Sequence, residues 1–244
     1  MPTMGAVHRL NVLGLMRYSI QEKHMPKAIV VEDDQLEHAV RVARVSSREN
    51  GTRDAALLLT CFGTAMTVTE ISRLLVSDYL AENGQVMRDS QVRPEIAYNH
   101  KARPLCWTNK KLTNAIDAHL AERVERGHGV STRKAAYRGL DPASPLFVSG
   151  RTGQGLKISE KRRDGKTYYS ATQLSRIYSR LFEQAGIEGA SAQSGRRTLA
   201  VKLKRRGIDL RHISEILGIE SLEAVKKLCA GDPARLGDIV RRII

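Results

Sequence analysis

Residues 191–229 read SAQSGRRTLAVKLKRRGIDLRHISEILGIESLEAVKKLC, and the interpretation of the whole chain turns on this stretch. A serine- and glycine-led start precedes a helical pattern that Gly207 stops. A second short helical pattern runs from Leu210 to Leu217 and is closed by Gly218, and a third begins at Ser221. Arg196, Arg197, Lys202, Lys204, Arg205, Arg206 and Arg211 crowd the first two patterns, while Leu199 and Leu203, at i and i+4, supply an apolar face. Helices this dense in cations, with helix-terminal N–H groups beside them, are suited to holding phosphates.

The rest of the composition agrees with a polyanion as partner. Forty lysines and arginines against 26 acidic residues give a formal charge of +14, spread along the chain and not gathered in one tail. Such a surface attracts nucleic acid first and anionic membrane second. A hydrophobic content of 41% over 244 residues is enough for one large or two small domains with a real core. Cys61, Cys106 and Cys229 stand apart, with no CxxC or Cys/His ligand spacing, and the histidines form no HExxH pair. No structural zinc, other metal or cofactor is expected, and the cysteine usage fits a reducing compartment. The apolar run Leu10–Met16 is interrupted by Asn11 and Gly14 and is too short to span a bilayer. The expected location is the cytoplasm, associated with the nucleoid, with no membrane partner.

Residues 1–26 lack periodicity and are expected to form an arm. Asp34 and Glu37 fit a capping box opening the first helix, and Ser46–Gly51 is a polar break. Residues 53–62 are apolar on nearly every face and predict a buried central helix ended by Gly63. Thr67 and Glu70 cap the next helix. Between about Val86 and Trp107 the period changes to alternation, which predicts a hairpin with Lys101 at its tip and strands kept short or at an edge by Pro94 and Pro104. A helix follows from about Asn109 to Arg126, then a polar loop, a strand at Leu146–Val148 and an exposed basic excursion at Glu160–Gly165. Ser170 and Gln173 are expected to cap a helix running to Gly186. Leu236, Ile239, Val240 and Ile243 form a last apolar stripe. The predicted fold is mainly α with a small antiparallel β-sheet.

This order of elements resembles the catalytic domain of tyrosine recombinases, the phage integrase family, over roughly residues 26–244. It does so most closely in Asp54–Asp78, in Ser144–Phe147 and in SATQLSRIYSRLFEQAGI followed by SGRRTLAVKLKRRGIDLRHISEILG. The resemblance implies a site in which a tyrosine attacks a DNA phosphate. Two arginines and a histidine or tryptophan stabilise the developing charge, and a hairpin lysine protonates the leaving oxygen. Carried over by position, the lysine is Lys101 and the arginine of the HxxR motif is Arg196. The first arginine falls on Thr67, the motif's histidine on Gln193, the later histidine or tryptophan on Ile219, and the tyrosine at Leu228 or Cys229. No tyrosine follows Tyr178. Losing one preorganised donor costs about 2.7–4 kcal/mol in such sites, and here several roles are replaced together.

The resemblance therefore implies a double-stranded DNA binder with an inactive recombinase fold, acting as a regulator or as an accessory to an active recombinase in site-specific recombination or integration of a mobile element. Residues 27–244 would form the catalytic-type domain, and the preceding arm is too short for the N-terminal helical domain with which the family closes around DNA. The C-terminal stripe could dock in cis, on another copy, or on an active recombinase. Other readings stay open: a recombinase using Cys229, its thiol activated by Lys226 and Lys227; a helix-turn-helix regulator built on Leu199–Leu217; and a protein-interaction role without DNA.

Overall fold

The computed structural model describes residues 28–163 and 165–230. Its helices are α1 (Asp33–Ser46), α2 (Gly51–Thr64), α3 (Val68–Ser72), α4 (Lys110–Glu125), α5 (Thr172–Gln184), α6 (Ser194–Arg205), α7 (Leu210–Leu217) and α8 (Leu222–Cys229). Strands β1 (Asp89–Val92) and β2 (Arg103–Cys106) pair antiparallel, and so do β3 (Ser159–Arg163) and β4 (Lys166–Ser170), giving two separate two-stranded sheets. The mainly helical expectation holds. The second sheet includes the stretch expected to be an exposed basic excursion, and every residue of β3 is exposed.

The molecule is organised around α2. Ala55, Ala56, Leu57, Leu58 and Cys61 are fully buried, as the sequence's lack of a polar face requires. Burying a leucine contributes roughly 1.5–3 kcal/mol, so Leu57 and Leu58 alone make this helix hard to displace. Its polar groups are satisfied internally: Asp54, with no exposure, accepts from Arg53 at 2.6 Å and Arg180 at 2.8 Å, and the Tyr178 hydroxyl donates to the Leu57 carbonyl at 2.8 Å. A second cluster, Ala65, Ala200, Ile213, Leu217, Val225 and Cys229, holds α6, α7 and α8 together.

Several boundaries differ from the sequence reading. Helix α1 starts after Glu32, whose N–H donates to Gln35 Oε1 at 3.0 Å, so the cap lies two residues before Asp34. Gly63 does not end α2; the helix continues to Thr64 and stops at Ala65 in a left-handed conformation with φ 54°. Leu146–Val148 is buried but forms no strand: its partners are a bridge between Val148 and Gly155 and the Leu146 N–H bond to the Leu74 carbonyl. The Ser170 and Gln173 capping box is absent. Helix α5 begins after Ala171, and Gln173 Oε1 instead accepts from the Lys157 N–H at 2.6 Å. The expected arm at 1–26 and the stripe Leu236, Ile239, Val240 and Ile243 lie outside the described residues.

Gly195, in the first turn of α6, is where the basic stretch meets the core. A Cβ there would lie 2.5 Å from both the carbonyl oxygen and the sulfur of Cys61, too close for either backbone to yield without separating α2 from α6. Gly195→Ala should lower stability by about 1–3 kcal/mol through overpacking. Urea unfolding should show this as a lower midpoint with an unchanged m-value.

Candidate nucleic-acid interface

The site is assembled from the N-terminus of α3 upward. Thr67 Oγ1 accepts from the Glu70 N–H at 3.3 Å and the Thr67 N–H donates to Glu70 Oε2 at 2.7 Å, a closed capping box. Glu70 is fully buried, and a buried carboxylate needs a charged donor. Arg103, from β2 and only 5% exposed, supplies it through two bonds, Nη1 to Oε1 at 2.6 Å and Nη2 to Oε2 at 2.8 Å. The Tyr98 N–H adds a bond at 3.2 Å. Burial alone pushes the Glu70 carboxyl up, but the hydrogen bonds and charge of Arg103, with the Thr67 and Tyr98 N–H groups, outweigh it and hold the group below its ordinary value of 4.5.

Arg196 projects from α6 into the same region. It donates to the Ala65 carbonyl at 2.9 Å and the Leu217 carbonyl at 2.6 Å, so one cation bridges the C-terminal ends of α2 and α7, where carbonyls lack helical partners and the dipole favours positive charge. Its guanidinium also lies over the Tyr98 ring, 5.1 Å from the centroid. Burial draws its pKa down, the nearby Arg103 adding to this and Tyr98 and Glu70 opposing it. Tyr98 Oη and Asn99 Nδ2 in turn donate to the Gly218 carbonyl at 2.6 and 3.1 Å. The left-handed Gly218, φ 65°, has no room for a Cβ, which would stand 2.7 Å from Arg103 Cδ.

The structure thus gathers Thr67, Arg196 and the segment ending at Ile219 around Glu70 and Arg103. Lys101 joins them from the β1–β2 connection, its Nζ 2.7 Å from Glu220. Both side chains of that pair are exposed, where such pairs contribute little. Gln193 is exposed and precedes α6 without capping it through its side chain. Ile219 is half-buried against the second core cluster, to which the buried Cys229 belongs.

The other sequence-singled cations divide into two groups. Arg197 is buried and ties α6 to the chain on either side, donating to the carbonyls of Ala28 at 2.7 Å and Ala230 at 2.9 Å. Lys202 and Arg205 turn back onto the start of α1, pairing with Asp33 at 2.6 Å and Glu32 at 2.9 Å. Lys204, Arg206 and Arg211 stay exposed and make no ion pair among the described residues. Three of the eight cations therefore face solvent without an ion pair among the described residues, and Lys101 is exposed but paired with Glu220.

Arg103 and Tyr98 were not singled out by the sequence. Arg103 sits two positions after Lys101 on an alternating strand, which places its side chain on a defined face. Nothing in its residue type distinguishes an inward from an outward arginine. The only available signal was the unexplained alternation of an arginine with Leu105 and Trp107, both buried.

Among the described residues no group of His, Cys, Asp and Glu could hold a metal ion, and no helix is long and apolar enough to cross a membrane. Comparison with known proteins gives a consistent family. Residues 30–230 match the Phage integrase family. A tyrosine recombinase XerC from Herpetosiphon aurantiacus is 24% identical over 209 residues, covering 84% of this chain and 56% of the relative, so the chain spans about half the length of that curated protein. In fold, the chain is similar to the XerA recombinase, with a TM-score of 0.62, 21% identity, 90% of this chain and 65% of the other covered. It is also similar to the XerH site-specific recombinase bound to palindromic difH substrate, with a TM-score of 0.57, 18% identity, and 86% and 51% coverage.

The Glu70–Arg103 pair sets a pH test. A carboxyl held below its ordinary value stabilises the fold above about pH 4.5, and that contribution fades as pH falls through the folded-state value. In Arg103→Met the donors are gone, burial dominates and the Glu70 pKa rises. At neutral pH the variant should lose about 3–5 kcal/mol. The deficit should shrink on acidification toward about pH 5 as the stranded carboxyl protonates. Urea midpoints measured from neutral to mildly acidic pH check both the size and the sign.

Proposed function

The chain belongs to the phage integrase family, and on that premise we propose that it binds duplex DNA without cleaving it, as a regulator or accessory subunit in site-specific recombination or integration of a mobile element. The observation that carries the proposal is at the nucleophile position. Of the two residues the resemblance allows there, Leu228 has no nucleophilic atom and Cys229 is 1% exposed inside the cluster formed by Ala65, Ala200, Ile213, Leu217 and Val225, and no tyrosine follows Tyr178. A thiol there reaches no phosphate unless α8 leaves the domain, and Lys226 and Lys227, which would have to activate it, are both exposed while it is buried. Tyr178 is itself buried with its hydroxyl on the Leu57 carbonyl.

The remaining positions support the same reading. Thr67 is engaged as a helix cap, and Ile219 offers no donor where a transition state would need one. Arg196 stays where the family's phosphate-holding arginine is expected, with part of its hydrogen-bonding capacity given to two carbonyls. Binding then rests on surface charge, through Lys101, Lys204, Arg206 and Arg211, and is sensitive to salt. The helix-turn-helix reading is less well supported. Ile213 and Leu217 of α7 are buried, and Gly218 at its end is fastened to the β1–β2 connection, so α7 is a component of the larger domain.

One observation favours a second reading. Tyr98 is 47% exposed with the Arg196 guanidinium over its ring, which makes it a candidate for cleavage chemistry once its hydroxyl leaves the Gly218 carbonyl.

Incubation with a nicked suicide DNA substrate separates these readings. The expected outcome is salt-sensitive retention of DNA with no covalent protein–DNA adduct in either the native chain or Cys229→Ser. Arg206→Ala and Arg211→Ala should each weaken binding across sequences and reduce the salt slope by about one. A covalent adduct would overturn the proposal, and its loss in Tyr98→Phe would identify the group responsible. Binding indifferent to salt would reject the DNA reading altogether.

A further inference from the structure

Strands β3 and β4 form a ribbon with no core of its own. Its register places Lys161 opposite Tyr168, Glu160 opposite Tyr169, and Arg162 opposite Thr167. Every residue of β3 is exposed, and Tyr168 is 54% exposed. Cross-strand partners share a face, so Lys161, Arg163 and Tyr168 lie together on one side. Arg162, weakly paired with the exposed Glu160 at 3.3 Å, lies on the other side with Tyr169. A two-stranded ribbon without an apolar face is marginal in water, yet this one is held at its base. Gln173 accepts from the Lys157 N–H at 2.6 Å, and Ser170 Oγ is 3.1 Å from Thr172 Oγ1. The Arg73 guanidinium stands 4.0 Å from the centroid of the Tyr169 ring. Arg73 is the C-terminal cap of α3, the same helix that carries Thr67 and Glu70. The ribbon is therefore fixed to the candidate interface while its outer face stays open to solvent.

Resting on the DNA-binding reading above, we propose that the β3–β4 ribbon is a second DNA-contacting element, laid into the major groove with Lys161 and Arg163 toward phosphates and Tyr168 toward the groove floor. The dimensions suit this. Five residues per strand span about 17 Å at roughly 3.4 Å each, and a groove about 12 Å wide admits a two-stranded ribbon. The chemistry also suits DNA better than a protein surface: apart from its two tyrosines the ribbon carries no large apolar side chain, and its basic residues outnumber its acidic ones.

The test compares the native chain with Lys161→Ala/Arg163→Ala/Tyr168→Ala on a fluorescein-labelled mixed-sequence duplex. Circular dichroism should show an unchanged fold, since none of the three residues is in the core. Anisotropy titrations across salt concentrations should give a slope of log affinity against log salt shallower by about two in the variant. Protection of guanine N7, which faces the major groove, should be lost. A variant equal to the native chain in either readout overturns the ribbon proposal. A change in self-association by sedimentation, with DNA binding unaltered, overturns it in favour of a contact between copies. If the native chain shows no salt-dependent binding, the underlying DNA reading has failed instead, and the two failures are told apart by the native chain alone.

Discussion

A carboxylate with no access to solvent can stay charged only if a cation is delivered to it, and the interior around Glu70 is arranged to meet that demand. Arg103 reaches it from β2 with a two-pronged bond, which locks a strand to the short helix that Ile71 anchors in the core. The left-handed glycine ending α7 lies on the stem of the same arginine, so the C-terminal helices are placed by reference to this pair as well. Leaving either partner alone would strand a buried charge, which costs far more than the pair itself contributes. The arrangement is accordingly one of specificity: it fixes where β2, α3 and α7 stand relative to one another.

Arg196 and Arg197 extend the same logic. They are adjacent on α6, and both direct their guanidinium groups at main-chain carbonyls: those of Ala65, Leu217 and Ala230 at the C-terminal ends of helices, and that of Ala28 in the segment before α1. Side chains that look in sequence like a grip on phosphate are thus partly internal scaffold. The exposed cations at Lys204, Arg206 and Arg211 are what the scaffold presents. A basic stretch can serve both ends because arginine's fork satisfies buried carbonyls without losing its charge, while Lys204, Arg206 and Arg211 stay exposed.

The central helix was legible because periodicity reports burial directly: a segment with no polar face has nowhere to go but the core, and residues 53–62 went there. The capping box at Thr67 and Glu70 was legible because its two bonds are local and depend only on spacing. The Ser170 box failed for the complementary reason. Its glutamine is drawn to a backbone N–H at Lys157, a partner no local pattern announces. Gly63 is no stop: the helix runs on to Thr64, whose hydroxyl donates to the Thr60 carbonyl, and turns left-handed at Ala65, whose carbonyl accepts from Arg196, distant in sequence.

For the site, the amino-acid sequence by itself determined the residue types: a retained Arg196, a lysine at 101, and Thr67, Gln193, Ile219 and Cys229 at the positions the resemblance marks. It determined these because they follow from order and spacing along the chain. Only the tertiary structure decided which cations face inward, that Glu70 is held by Arg103, that Tyr98 stands beside Arg196, and that Cys229 is enclosed. Those are outcomes of long-range packing, in which a charged side chain is buried or exposed according to whether a distant partner can satisfy it, and a single position's residue type does not carry that information.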